Sequence, residues 1–252
     1  MPKFALPLTA IARERPPVLC EGGFTLVELA IVLLIVALLI GGMLVPLSAQ
    51  RDIQNINDTQ RRLASINEAL LGFAADQRRL PCPAVPNATG IENPVGGGAC
   101  TNNYDGFLPA ITLGISPTDA QGYAVDSWGN RIRYSVTNAN TNAFTTAGGM
   151  QSAWSGGLTP DLRVCNTAAN IVAADCPAAD RMTNAAVAVV LSTGKNGGAA
   201  PDVSNINELA NWTTSNDRVF VSATPSAAFD DIVVWLSPNI LYNRLISAGR
   251  LP

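Results

Sequence analysis

The chain of 252 residues is 48% hydrophobic and 14% charged, carries a net charge of −3 and contains no histidine. A net negative chain without a basic patch is not expected to bind nucleic acid. The absence of histidine removes the commonest general base and the commonest metal ligand. The composition therefore disfavours an enzyme, and we predict no catalytic residue. The length allows one large domain or two small ones.

An apolar run near the amino terminus is the strongest feature of the sequence. Leu29 to Gln50 contains no charged residue, and as a helix it would be about 33 Å long, close to the thickness of a bilayer. A secretory signal would have a shorter apolar core and a small-residue cleavage site, whereas Arg51 and Asp52 follow this run at once. A single-pass anchor fits the length. It does not explain Glu28, because a carboxylate near the membrane costs about 2–3 kcal/mol unless it is paired.

Residues 23–28 read GFTLVE and lead directly into the apolar run. This stretch resembles the cleavage and methylation site of type IV pilins and type II secretion pseudopilins. The resemblance implies that a prepilin peptidase cuts after Gly23, removes residues 1–23 as a leader, and methylates the new amino terminus at Phe24. The positive terminus of one subunit would then pair with Glu28 of a neighbour in a filament, which offsets the burial of both charges.

Residues 51–80 remain helical in pattern but become polar on most faces. Apolar residues recur at spacings of three, four and seven, which predicts a helix with one apolar face. They are Ile53, Ile56, Leu63, Ile66, Leu70, Phe73 and Leu80. Pro81 and Pro83 end the helix. The resemblance to pilins implies one long helix with a membrane-spanning half at 24–50, an amphipathic half at 51–80, and a periplasmic head at 81–252.

The cysteines indicate an oxidising compartment. Cys20 precedes the apolar run, and Cys82, Cys100, Cys165 and Cys176 follow it without CxxC spacing, which argues against zinc. Four cysteines in an exported domain predict two disulfides, with three possible pairings. We favour Cys82–Cys100 and Cys165–Cys176, because each would close a loop rich in Gly, Pro or Ala. The alternative is four free thiols in a cytosolic protein.

The rest of the chain predicts a small antiparallel sheet, and hence an α+β fold in which the long helix packs on a head with disulfide loops. Residues 126–136 alternate as a strand does, and their stretch WGNRIRY is similar to the first sheet strand of major pseudopilins. Residues 185–191 suit a buried strand, and 229–236 suit a final strand. Residues 138–157 are interpreted as a surface insertion. Residues 237–251 form an amphipathic tail.

The glycine-rich stretch at 191–198, LSTGKNGG, suggests two kinds of ligand site. A phosphate loop is excluded, because Val189 replaces its first glycine. Major pseudopilins bind Ca²⁺ at a similar loop, so the resemblance implies Asp230 and Asp231 as alternative calcium ligands, since calcium prefers oxygen. Lys195 argues against that site. The simpler interpretation is that the glycines form a turn and one of the two aspartates caps the last strand, with no cofactor.

The sequence therefore predicts a pilin or pseudopilin, possibly a minor one in view of its large head, in a type IV pilus-like or type II secretion-like filament. The implied partners are other subunits, the prepilin peptidase, an inner-membrane assembly platform and membrane lipid. The implied location is the bacterial inner membrane with the head in the periplasm, followed by the filament. The alternative is a single-pass, membrane-anchored binding or adhesin protein that does not polymerise.

Overall fold

The structure, a computed structural model, describes residues 23–172, 174–212, 218–226 and 228–252, with side chains except at 42–49. The predicted leader, apart from Gly23, and Cys20 lie outside these residues. The chain divides into an N-terminal unit, Met1–Gln50, and a C-terminal unit, Arg51–Pro252. The helices of the described ranges are α1 Leu26–Gln77, α2 Ala110–Leu113, α3 Ala139–Asn142, α4 Gly149–Ala153, α5 Ile206–Trp212 and α6 Pro238–Ser247.

The strands form two sheets, so the fold is α+β. The strands are β1 Gly106–Phe107, β2 Arg133–Val136, β3 Leu162–Cys165, β4 Arg181–Ala186, β5 Ala188–Ser192, β6 Val219–Val221 and β7 Ile232–Leu236. A four-stranded antiparallel sheet has the order β1-β2-β5-β7. A three-stranded sheet has the order β4-β3-β6, in which β3 is antiparallel to β4 and parallel to β6.

The predicted membrane span is not found. Within the described residues, no helix combines the length and apolarity needed to cross a bilayer. The prediction that residues 24–50 form a membrane-spanning half of the helix is therefore wrong.

The second half of α1 packs on one face of the four-stranded sheet. Leu63, Ile66 and Leu70 are at most 1% exposed and share a core with Tyr134 and Val136 of β2. Their spacing of three and four residues places them on one side of the helix, as the sequence pattern predicts. Burial of each such side chain contributes about 1.5–3 kcal/mol, so this face fixes α1 of the C-terminal unit to the sheet.

The other face of the four-stranded sheet packs on the three-stranded sheet. Val189 and Leu191 of β5 contact a second core that contains Leu162 and Phe220, while Val190 faces the α1 side. A strand covered on both faces is apolar at nearly every position, which explains the part of the apolar run that lies in β5, residues 188–191. The prediction of a single antiparallel sheet missed this second layer, because β3, β4 and β6 lack a distinctive alternation.

The predicted strand at 185–191 proves to be a corner between the two sheets. Its first residues belong to β4, and its last residues belong to β5. Val187 lies between them, donating its backbone N–H to Leu236 O at 2.9 Å and accepting a hydrogen bond from Thr137 N at 3.0 Å. The chain therefore passes from one sheet to the other without leaving the core.

The predicted strand at 126–136 is wrong over its first half. The carboxylate of Asp126 accepts hydrogen bonds from Trp128 N at 2.9 Å and Asn130 N at 2.8 Å. An aspartate that satisfies the backbone of the next residues stabilises a turn rather than a strand. Regular pairing therefore begins only at Arg133.

Two other boundaries also differ from the sequence prediction. The segment at 138–157 is not a surface insertion, because Phe144 and Met150 are 0% and 2% exposed within the main core. The tail forms α6, with Leu241 and Leu245 buried. The final strand, β7, begins at Ile232, after the two aspartates that precede it.

The two predicted disulfides are present, Cys82–Cys100 and Cys165–Cys176. The first closes a loop in which Glu92 forms a buried ion pair with Arg79, which lies outside the loop just after α1; the two residues are 4% and 5% exposed. Two parallel hydrogen bonds of 2.7 Å join their guanidinium and carboxylate groups. Glu92 also accepts a hydrogen bond from Cys82 N at 3.1 Å. This pair therefore ties the disulfide loop to the end of α1.

We predict that Glu92→Gln lowers the free energy of unfolding by about 3–5 kcal/mol, because it leaves the buried charge of Arg79 without a counter-ion. Asp58→Asn is the matched control, since the pair of Asp58 with Arg61 is exposed and is expected to be worth less than about 1 kcal/mol. Urea denaturation of both variants measures the difference. Equal losses would show that the buried pair has no special role.

Candidate functional site

The predicted processing motif lies at the start of α1, in the N-terminal unit. Gly23 is exposed, Phe24 is 87% exposed, and α1 begins two residues later. Glu28 Oε2 accepts hydrogen bonds from Thr25 N and Thr25 Oγ1, both at 2.9 Å. Thr25 Oγ1 accepts one in return from Glu28 N at 3.2 Å. These reciprocal bonds form a capping box, which satisfies backbone donors at the start of a helix.

Sequence reasoning assigned Glu28 to pairing between subunits and missed this local role. The signal was present, because a threonine followed three residues later by a glutamate before an apolar run is the pattern of a capping box. Glu28 therefore stabilises the helix start within its own chain. Its second oxygen, Oε1, takes part in neither bond to Thr25.

The helix that follows the capping box exposes apolar side chains on every side. All described side chains from Phe24 to Gly41 are exposed. The large ones from Leu26 to Ile40 have between 43% and 86% of their surface accessible. An exposed apolar surface of this extent marks an interaction site in general.

A cluster of three carboxylates lies in the C-terminal unit, at the start of β7. Glu208 comes from α5, and Asp230 and Asp231 come from the loop before β7; their oxygens lie within 4.8 Å of one another. Glu208 is 3% exposed and Asp231 is 7% exposed. Sequence reasoning named the two aspartates but missed Glu208, because nothing in the sequence near 208 marks it as a partner.

The side chain of Asn211 links helix α5 to the three-stranded sheet. Asn211 exchanges two hydrogen bonds of 2.8 Å with the backbone of Val221 in β6. Its amide nitrogen also donates to Asp231 Oδ2 at 2.8 Å. The three-stranded sheet therefore fixes α5, and α5 in turn brings Glu208 to the aspartates.

The glycine-rich loop at 193–198 supplies donors to the cluster. Asp230 Oδ2 accepts hydrogen bonds from Lys195 N at 2.8 Å and Asn196 N at 3.3 Å, and Glu208 Oε2 accepts one from Asn196 Nδ2 at 2.8 Å. Gly194 has φ +64°, and a Cβ there would lie 2.4 Å from Asp230 O. Only glycine fits this position, so the glycines do form a turn, as predicted.

The electrostatics of the cluster fit a cation. The pKa of Asp231 is raised to about 7: burial is the largest cause, the charges of Glu208 and Asp230 add to the shift, and the hydrogen bond from Asn211 opposes it. Asp230 Oδ1 is buried and has no hydrogen-bond partner. Lys195 directs its ammonium group to Asp52 at 2.8 Å rather than to the cluster. Lys195 stands where an acidic residue could have supplied a ligand, but its own charge is paired with Asp52.

Oxygen ligands from three carboxylates suit Ca²⁺. Glu208, Asp230 and Asp231 would hold the ion, and its charge would offset their mutual repulsion. The two backbone N–H groups on Asp230 Oδ2 compete with an ion for that oxygen, so Asp230 Oδ1 is the better ligand. These residues make the cluster the best candidate for a metal site in the described part of the chain.

Comparison with known proteins gives no identification. The chain matches no known protein family, no curated protein and no solved structure. The resemblance to pilins and pseudopilins therefore rests on residues 23–28 and on the stretch WGNRIRY.

We predict that Ca²⁺ stabilises the protein. At one hundred times its dissociation constant, a ligand that binds only the folded state adds about 2.7 kcal/mol to the free energy of unfolding. Asp230→Asn is expected to remove most of this gain, whereas Asp76→Asn, at an exposed position on α1, is expected to keep it. Thermal denaturation with Ca²⁺, Mg²⁺ or EDTA measures the effect. An equal calcium gain in both variants would exclude the cluster.

We also predict a pH dependence in the presence of EDTA. The folded pKa of Asp231, about 7, exceeds its ordinary value of 3.8, so between these values the folded state binds more protons than the unfolded state. The contribution of Asp231 to stability therefore decreases as pH rises from about 4 to about 7, and is constant above that range. Asp231→Asn removes this contribution. Urea denaturation at several pH values should show a flatter profile for the variant; an unchanged profile would contradict the prediction.

Proposed function

We propose that the protein is a structural subunit of a filament of the type IV pilus or type II secretion kind, and that its chemistry is assembly rather than catalysis. The observation that carries the proposal is the apolar helix surface that begins within the GFTLVE motif and continues to Ile40, with its large side chains exposed on every side. Helices of other subunits would cover this surface.

Helix packing between copies gives a driving force for assembly. Full burial of one large aliphatic side chain stabilises an assembly by about 1.5–3 kcal/mol, and this segment carries more than ten such side chains. Because the apolar surface surrounds the helix, several neighbours are needed to cover it. A bundle of parallel helices at the centre of a filament meets that requirement.

Glu28 would then set the register of the helices. It is the only charged residue between Gly23 and Gln50. Cleavage after Gly23 would place a positive amino group at Phe24, and the Glu28 carboxylate of a neighbouring subunit would pair with it. The capping box engages Oε2, which leaves Oε1 for that partner. An unpaired charge in the bundle is costly, so one stagger between helices is favoured.

The C-terminal unit would form the outer part of the filament. Its two disulfides are consistent with an oxidising compartment such as the periplasm. The prepilin peptidase and an inner-membrane assembly platform are the partners that this function requires.

We predict that Glu28→Ala and Glu28→Gln both reduce the protein recovered in sheared filaments by more than about tenfold, since loss of a buried charge pair costs more than about 1.4 kcal/mol. Glutamine retains the capping box but not the charge, so this variant separates the two roles. Thr25→Ala keeps the charge, removes the cap at a cost of about 1 kcal/mol, and should reduce assembly less.

Glu68→Gln is the control, because Glu68 lies on the exposed surface of α1 and pairs with Arg244 in its own chain. Amino-terminal sequencing of each variant is needed first, and a methylated Phe24 is the expected start. An intact Met1 in the envelope-extracted protein would contradict the proposal. Normal assembly of both Glu28 variants would contradict the role of Glu28 in setting the register, whereas absence of the wild-type protein from sheared filaments would favour a binding protein that does not polymerise.

A further inference from the structure

A pocket of about 490 Å³ lies beside β1 and β2 in the C-terminal unit. Its volume falls within the range of small-molecule sites. Phe107 and Trp212 supply apolar surface, and the polar lining comes from Asp105, Asn130, Arg131 and Arg133. All of these residues are remote in sequence from the segment proposed for filament assembly, so ligand binding here is independent of that function.

The polar groups of the pocket are fixed before any ligand arrives. Arg131 Nε donates to Asp119 Oδ2 at 2.6 Å, and its guanidinium lies 4.2 Å from the ring centroid of Tyr123. Arg133 donates to Trp212 O at 3.0 Å. Asn130 donates through Nδ2 to Gly194 O at 2.6 Å. Groups that are already ordered lose little conformational entropy when a ligand binds.

The charges in and around the pocket are balanced. Arg131 pairs with Asp119, and Arg133 pairs with Asp105. An anion would gain little from guanidinium groups that already have carboxylate partners, and a cation would meet the same two arginines. The pocket therefore suits a neutral ligand with many hydrogen-bonding groups.

The lining also indicates which hydrogen-bonding and apolar groups the ligand should carry. Guanidinium groups only donate hydrogen bonds, a carboxylate only accepts them, and an amide does both. Phe107 and Trp212 offer large apolar surfaces beside these groups. Sugars combine hydroxyl groups, which donate and accept, with C–H faces that pack on aromatic rings. We propose that this pocket binds a neutral saccharide of one or two rings.

The test is isothermal titration calorimetry of the full chain with maltose, lactose and chitobiose, together with NMR of the tryptophan indole N–H groups. We expect at least one disaccharide to bind and to shift the Trp212 signal. Trp212→Leu, which keeps apolar bulk but loses the ring, should weaken binding at least about tenfold. Trp154→Leu is the matched control, because Trp154 packs against Tyr242 and does not line the pocket.

Circular dichroism establishes that each variant is folded. If Trp212→Leu does not fold, Phe107→Leu provides the same comparison at the other aromatic residue of the lining. Glucuronate, inorganic phosphate and N-acetyltryptophanamide probe the other ligand classes. Failure of all three disaccharides to bind overturns the proposal. So does equal affinity in the folded pocket variant and the wild type, or binding of phosphate, glucuronate or the aromatic amide in place of the neutral sugars.

Discussion

Burial of strand β5 on both faces is the constraint on which the rest of the C-terminal unit depends. Val190 faces the core under α1, while Val189 and Leu191 face the second core. A strand with no polar face needs a packing layer on each of its two faces. The amphipathic half of α1 covers only one face of β5. The three-stranded sheet covers the other face of β5. Val187 joins β4 of that sheet directly to β5 of the four-stranded sheet.

The second sheet also places the polar sites. Asn211 fastens α5 to β6, and α5 contributes both Glu208 to the carboxylate cluster and Trp212 to the pocket. One short helix therefore connects two sites of different chemistry. The glycine-rich loop connects them again, because it donates to Asp230 and accepts from Asn130. The three-stranded sheet, which the sequence pattern did not predict, thus positions both the carboxylate cluster and the pocket.

The helix of the N-terminal unit is stabilised differently from the C-terminal unit. Its helix begins at a capping box made by residues three apart, and its apolar side chains are exposed on every side. Within the described part of this unit, stability must therefore come from local hydrogen bonds, since a helix gains little from isolated exposed side chains. Under the filament proposal, neighbouring subunits provide the packing that the chain itself does not.

Local patterns in the sequence determined the amphipathic half of α1, the disulfides, the turn after β5 and the helix start at Thr25, because each depends on neighbours along the chain. The Thr25–Glu28 capping box could have been predicted from the spacing of the two residues, although the sequence analysis did not predict it. Only the tertiary structure decided that Glu208 joins Asp230, which lies far along the chain, and that α5 and β2 share a pocket. Those contacts depend on how distant segments pack. Residues 206–212 show no periodic pattern of apolar residues from which the packing of α5 on the second sheet could be predicted. The error at residues 126–136 has a local cause instead, because the hydrogen bonds of Asp126 to the backbone of Trp128 and Asn130 outweighed an alternating pattern.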